Sequence, residues 1–211
     1  MSFNNHARKA RDMTLPHGLR VAQLRSCVQL YRPIGFHATL SFLEAQAGPY
    51  GRDERALLRA LDVLEASRDA WHGELRAFDG VRRRAKGQGA RQPRRAERNP
   101  YREMWWSGAP REGALHALSF LRDRGWIPMP VGDPLAADLN RCVVACLETG
   151  GAPGPEERHL LSECLRSLRN RRTSAAPQDD MTGRFRTQDL LRAARHVEIA
   201  TTEHVSPCLS G

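Results

Sequence analysis

The chain has 211 residues, of which 40% are hydrophobic, and carries a formal net charge of +9 with a pI of about 10.1. This composition suffices for one domain or two small ones, and no apolar run approaches the ~18 residues of a membrane span. The five cysteines are odd in number and lie far apart. That pattern argues against a disulfide framework and predicts free thiols in a reducing compartment.

The N-terminal residues predict a polar tail followed by two helices. Residues 1–13 are polar and weakly basic, and Thr14 is expected to cap a first helix that Pro33 ends. A shorter helix is predicted over residues 36–46. No alternating pattern of the kind that strands require appears along the chain.

The clearest periodic pattern is an apolar stripe whose members follow one another at steps of 4, 3, 7, 4 and 3 residues. Its members are Leu57, Leu61, Leu64, Trp71, Leu75 and Phe78. This spacing places them on one face of a long helix. The stripe is expected to pack on the earlier helices or to form a short coiled coil.

The C-terminal half predicts further helices, separated by glycine and proline. One helix is expected over residues 111–124, and Asp133 followed by Pro134 is a helix start, with an N-cap and a proline in the first turn. Pro155 begins the next helix, and Thr187 is expected to cap a last short one.

The predicted fold class is therefore all-α, with two small helical units, or one split helical bundle, joined by a flexible arginine-rich linker. The expected divisions are a tail over 1–13, a first unit over 14–81, a basic linker over 82–100, a second unit over 101–171, and a partly disordered tail with one short helix over 172–211.

Positive charge is concentrated in what we call the basic segment, residues 82–102. Its cations are Arg82, Arg83, Arg84, Lys86, Arg91, Arg94, Arg95, Arg98 and Arg102, against the single acid Glu97. These nine cations and one anion carry +8 of the net charge of +9. Arginine pairs with phosphate through two parallel hydrogen bonds and stacks on bases, which lysine does not do.

The charge pattern predicts a non-catalytic nucleic-acid-binding subunit of a larger nucleoprotein assembly. The basic segment would neutralise phosphates of DNA or RNA and release counterions, which gives affinity without sequence preference. Protein partners would then supply specificity. Tyr101 lies near the end of the segment and Trp105 follows it, and these rings either stack on bases or anchor a hydrophobic core.

Two other classes of function remain open from the sequence. A protein–protein adaptor would dock a partner helix on the stripe from Leu57 to Phe78 and bind an acidic surface through the basic segment. The other class is a small enzyme with an unfamiliar site, although no catalytic string is present.

Candidate ligating and titrating pairs favour structural interpretations. Cys142 and Cys146 lack the close Cys-x-x-Cys spacing of structural zinc sites and lie on an apolar helix face. His159 and Glu163 are four residues apart, as on an ordinary solvated helix. We therefore expect no metal, no cofactor and no catalytic residues.

The expected location is the cytoplasm, without membrane association. The arginines of the first 31 residues leave mitochondrial targeting open, although the polar start is unlike a transit peptide.

Overall fold

The computed structural model describes residues 1–87, 104–124, 133–174 and 181–202. Every regular element in these ranges is a helix, which confirms the all-α prediction. The helices are α1 (Phe3–Arg11), α2 (His17–Leu30), α3 (Phe36–Ala47), α4 (Glu54–Gly87), α5 (Pro110–Asp123), α6 (Pro134–Glu148), α7 (Pro155–Ser174) and α8 (Met181–Thr201). They divide into two compact units, Met1–Ala109 and Pro110–Gly211.

The first unit is built around α4, the helix that the apolar stripe predicts. Leu57, Leu61 and Leu64 of this stripe are fully buried in the unit's core. Helices α1, α2 and α3 all pack on α4. Farther along α4, the ring of Trp71 lies 5.7 Å from the ring of Tyr31, which follows the last turn of α2. The periodic pattern therefore identified the central helix of the unit.

Residues 3–11 form a helix where the sequence predicted a flexible tail. Phe3, Ala7 and Ala10 lie on one helical face and are buried, but two of the three are alanines, which give little hydrophobic signal. The guanidinium of Arg11 pairs with Asp62 of α4 at 2.6 Å. Helix α1 is thus held mainly by packing on α2, the next helix in the chain, and by this ion pair to α4.

The start of α2 also differs from the prediction. The helix begins at His17, and Pro16 occupies the N-cap position without a side-chain hydrogen bond. The hydroxyl of Thr14, the expected cap, instead donates to the Asp12 carboxylate at 2.6 Å. Thr14 therefore stabilises the turn between α1 and α2.

The guanidinium of Arg20 is completely buried between three helices. Its Nε donates to the carbonyl of Ala10 in α1 at 2.9 Å, and its Nη1 donates to Glu54 in the first turn of α4 at 3.0 Å. A buried cation is costly unless it is paired in this way. One side chain of α2 therefore fixes the end of α1 and the start of α4.

The second unit contains α8, a helix of 21 residues where the sequence predicted a partly disordered tail with one short helix. Leu190, Ala194 and Val197 of α8 are buried, and α8 packs on α5, α6 and α7. Thr187 lies inside this helix rather than at its cap. The predicted last helix is therefore present and longer than expected, while residues 175–180 and 203–211 of the predicted tail lie outside the described residues.

Local signals placed the start of α6 correctly. The Asp133 side chain accepts a hydrogen bond from the backbone N–H of Leu135 at 3.0 Å, and Pro134 occupies the first turn. The guanidinium of Arg171 in α7 donates to both Asp133 oxygens, at 2.8 and 3.2 Å. The N-cap of α6 thereby also joins α6 to α7.

We predict that Arg20→Met lowers the free energy of unfolding of the first unit by about 1–3 kcal/mol, because the hydrogen bonds to Ala10 and Glu54 are lost. Urea unfolding followed by tryptophan fluorescence measures this, since Trp71, Trp105 and Trp106 all lie in that unit. Arg25→Met, an exposed arginine of the same helix, is the matched control and should change stability by less than about 0.5 kcal/mol. An equal decrease in the free energy of unfolding in the two variants would contradict the role given to Arg20.

Candidate nucleic-acid interface

The described part of the basic segment forms the last turns of α4. The side chains of Arg82, Arg83, Arg84 and Lys86 are all exposed there. The Nε of Arg83 donates to the backbone carbonyl of Asp79 at 3.3 Å. Among the described residues, no carboxylate forms an ion pair with any of these four cations. Their charges therefore face solvent and are available to an anionic ligand.

A second, smaller group of arginines stands at the end of α7: Arg166, Arg169, Arg171 and Arg172. Two of them are paired with carboxylates. Arg171 binds both oxygens of Asp133, which holds the pKa of that carboxyl below its usual range. Arg166 lies 3.6 Å from Glu163. The charges of these two side chains are therefore compensated by neighbouring carboxylates. In this respect they differ from the cations at the end of α4, which form no ion pair with a described carboxylate.

The remaining candidate contacts lie outside the described residues. They are Arg91, Arg94, Arg95, Arg98, Tyr101 and Arg102. Their assignment as phosphate or stacking contacts stays a prediction from the sequence.

Burial removes Trp105 from the predicted stacking residues. The residue is only 7% exposed, which leaves no ring face for a base. Its indole Nε1 donates to the Glu74 carboxylate at 2.8 Å, and its carbonyl accepts a hydrogen bond from the Tyr31 hydroxyl at 2.9 Å. The other interpretation drawn from the sequence, a core anchor, is the one that this geometry supports.

Trp106 is likewise a core residue, with 4% exposure and an edge-on contact to the ring of Phe42 at 4.6 Å. Both tryptophans therefore belong to the first unit, although the sequence placed them at the start of the second. The division between units falls after Ala109 rather than at residue 101. The first unit therefore includes both α4 and the stretch Met104–Ser107.

The net charge of the chain is distributed unequally between the two units that meet after Ala109. Residues 1–109 contain 20 basic and 11 acidic residues, which gives the whole net charge of +9. Residues 110–211 contain 13 of each and are neutral. The long-range attraction for an anionic ligand therefore comes from the first unit.

The candidate ligating residues of the second unit are placed as the sequence predicted. Cys142 and Cys146 are buried, and burial raises their pKa to about 12 and about 11. His159 and Glu163 are exposed, with 3.7 Å between the imidazole and the carboxylate. Within the described ranges, no group of three His, Cys, Asp or Glu side chains is arranged to hold a metal ion.

Comparisons with protein-family models, with curated proteins and with solved structures give no match for this chain. Among the described helices, none combines the length and apolar character needed to cross a bilayer. The candidate function therefore depends on the charge and geometry of the chain itself.

One histidine that the sequence did not single out is buried in the second unit. His196 of α8 is 5% exposed, and neither ring nitrogen has a hydrogen-bond partner. Burial, together with the smaller effect of the positive charges of Arg192 and Arg195, lowers the pKa of His196 to about 4. The folded protein therefore holds this imidazole neutral.

We predict that His196 makes the second unit sensitive to acid. Its pKa is near 6.5 when unfolded and about 4 when folded, so the unfolded chain binds the proton more readily between these values. Its contribution to stability is complete above about pH 6.5 and declines towards pH 4, by up to about 3 kcal/mol. Urea unfolding followed by circular dichroism at several pH values measures the decline.

The variant His196→Leu should lose this part of the pH dependence. His159→Leu, which removes an exposed histidine of the same unit, should keep it. The same pH profile in both variants would contradict the assignment to His196.

Proposed function

We propose that this protein is a non-catalytic nucleic-acid-binding subunit that contacts the phosphate backbone through its basic segment. The observation that carries the proposal is the exposed group of four cations at the end of α4, which no described carboxylate neutralises. Elsewhere in the first unit, Arg11, Arg20 and Arg59 each pair with a carboxylate, and other exposed arginines such as Arg25 and Arg32 are not clustered, whereas four cations lie within the five positions 82–86. Unpaired arginines on a helix end are suited to the paired hydrogen bonds that phosphate oxygens accept.

Such contacts supply affinity and orientation but no sequence information. A protein with this interface therefore needs partners that select the site, which fits an accessory subunit of a larger nucleoprotein assembly. The basic segment does not distinguish DNA from RNA, since both ligands present the same backbone charge.

Burial argues against the adaptor alternative. Leu57, Leu61 and Leu64 are completely buried in the first unit, so this half of the stripe is occupied by the protein's own helices. Leu75 and Phe78 are half-buried. A partner helix would have to displace part of the core to use the whole stripe, whereas an anionic ligand meets the end of α4 without rearrangement.

We predict that replacing Arg82, Arg83, Arg84 and Lys86 together by glutamine weakens nucleic-acid binding about tenfold or more at low salt. Each cation that neutralises a phosphate contributes about 0.7 to 0.9 to the slope of log K against log salt, so the slope should fall by up to about 3. Fluorescence anisotropy with single-stranded DNA, single-stranded RNA and duplex DNA measures both quantities.

The matched control replaces Arg25, Arg32, Arg52 and Arg55 by glutamine, which removes the same charge from exposed positions of the same unit. This control should keep most of the affinity and slope. Equal losses in the two variants, or equal binding of polyglutamate and nucleic acid by the wild type, would reduce the basic segment to generic charge and overturn the proposal.

A further inference from the structure

The last turns of α4 carry their cations on widely different sides of one helix. Successive residues of an α-helix are rotated by about 100° around its axis. Arg82 and Arg84 therefore leave the helix about 200° apart, in nearly opposite directions, and Arg83 lies between them. Lys86 follows Arg82 by one turn and lies on the same side. The exposed cations at this end of the helix thus cover more than half of its circumference.

The remaining side of α4 is the one that packs on its own unit. It carries the ring of Trp71, which lies 5.7 Å from the ring of Tyr31, and the half-buried Phe78 two turns later. The arc that the three arginines span is centred about 140° away from Phe78, towards solvent. This arc includes one acid, Asp79, but residues 76–86 contain five cations, so their net charge is +4.

Glycines open the helix surface between these cations. Gly80 and Gly87 are seven residues apart, on the side of α4 between Arg83 and Arg84. A Cβ atom at Gly87 would have no packing neighbour within 4 Å, and one at Gly80 would meet only the guanidinium of Arg84, at 3.8 Å. Glycine destabilises a helix relative to alanine, and no described contact requires it at either position. The missing side chains leave bare backbone that a ligand can approach closely.

Cations on opposite sides of one helix match two phosphate backbones rather than one. A single backbone that runs along the helix lies on one side of it, and so meets either Arg82 or Arg84. The major groove of B-form DNA is about 12 Å wide and has phosphates along both walls, and an α-helix with its side chains is about 10–12 Å across. The deep, narrow major groove of duplex RNA does not admit a helix in this way.

Single-stranded nucleic acid fits the described residues less well. Proteins that bind it stack successive bases on aromatic side chains. Every described Phe, Tyr or Trp side chain is buried or half-buried, including Phe78, the aromatic residue of α4 that is closest in sequence to the cations. The described end of α4 therefore offers charge on several sides without an exposed ring beside it.

We propose that the end of α4 binds in the major groove of B-form duplex DNA, with Arg82 and Arg84 on the phosphates of opposite strands and Arg83 directed towards the groove floor. Groove binding rests on the proposed function, narrows its ligand to duplex DNA and needs only residues of α4. The bare backbone at Gly80 and Gly87 then lies against the groove, where side chains would hold the helix farther from the base edges.

Single substitutions of the two flanking arginines test this geometry by fluorescence anisotropy. Arg82→Gln and Arg84→Gln should each weaken binding to duplex DNA about three- to tenfold, as the loss of a charge-assisted hydrogen bond implies. Each should also lower the slope of log K against log salt by about 0.9, because each arginine neutralises its own phosphate. A loss in only one of the two variants would place the ligand on one side of the helix and overturn groove binding.

The matched control is Arg55→Gln, an exposed arginine in the first turn of the same helix, about 40 Å from Arg82 along the axis. It should leave affinity and salt slope nearly unchanged. Glutamine is about as good a helix former as arginine and all three positions are exposed, so circular dichroism should show three folded variants.

A duplex with a blocked major groove separates groove binding from phosphate attraction. Its cytosines carry a glucosylated hydroxymethyl group at C5, which fills the major groove without changing the charge. The wild type should bind this duplex about tenfold or more weakly than the unmodified duplex of the same sequence, because the helix no longer enters the groove. It should also bind the unmodified duplex more tightly than duplex RNA, single-stranded DNA or single-stranded RNA.

The ligands also separate this proposal from the proposed function. Equal binding of the blocked and open duplexes, or tightest binding to RNA or to single strands, would overturn groove binding and leave the proposed function intact. If the wild type binds no nucleic acid, both fail.

Discussion

The hydrogen bonds that Glu74 makes to Trp105 and Ser107, and Tyr31 to Trp105, hold the stretch from Trp105 to Ser107 in the first unit. With them, the chain returns to the helix that it has just left, and the first unit extends to Ala109. The hydrogen bond between Tyr31 and Trp105 is a long-range contact, because the two residues are 74 positions apart in the sequence.

The second constraint is the way in which the first unit uses its arginines. Arg20 is buried and paired, because a guanidinium without partners would be costly in the core. Arg11 joins α1 to α4 on the surface. The cations at the end of α4 have no such carboxylate among the described residues, so their charge remains uncompensated. Arginine thus stabilises the packing of α1, α2 and α4 through Arg11 and Arg20, and it supplies uncompensated positive charge at the end of α4.

Sequence patterns anticipated the parts of the fold that local chemistry determines. The stripe beginning at Leu57 predicted α4, and Asp133 with Pro134 predicted the start of α6. Helix α1 escaped prediction because its buried face is mostly alanine, and its stability comes from packing on α2 and, to a smaller extent, on α4. The burial of Arg20 gave no signal, since its partners lie ten and 34 residues away.

Part of the candidate interface was predictable from the sequence, and part was not. Charge is a property of the sequence, so the cations at the end of α4 could be found by counting. The role of Trp105 could not, because an aromatic residue beside arginines has the same pattern whether it stacks on a base or fills a core. The role of Trp105 becomes clear only from the hydrogen-bond partner of its indole N–H, and that partner, Glu74, lies 31 residues away in the sequence.

Photo-cross-linking tests the central claim most directly. An oligonucleotide carrying a photoreactive base is bound at low salt and irradiated, and the cross-linked peptides are identified by mass spectrometry. The account predicts that the cross-links fall within residues 82–102, with few or none in residues 110–211. Cross-links concentrated in the neutral second unit, or spread evenly over the surface, would contradict it.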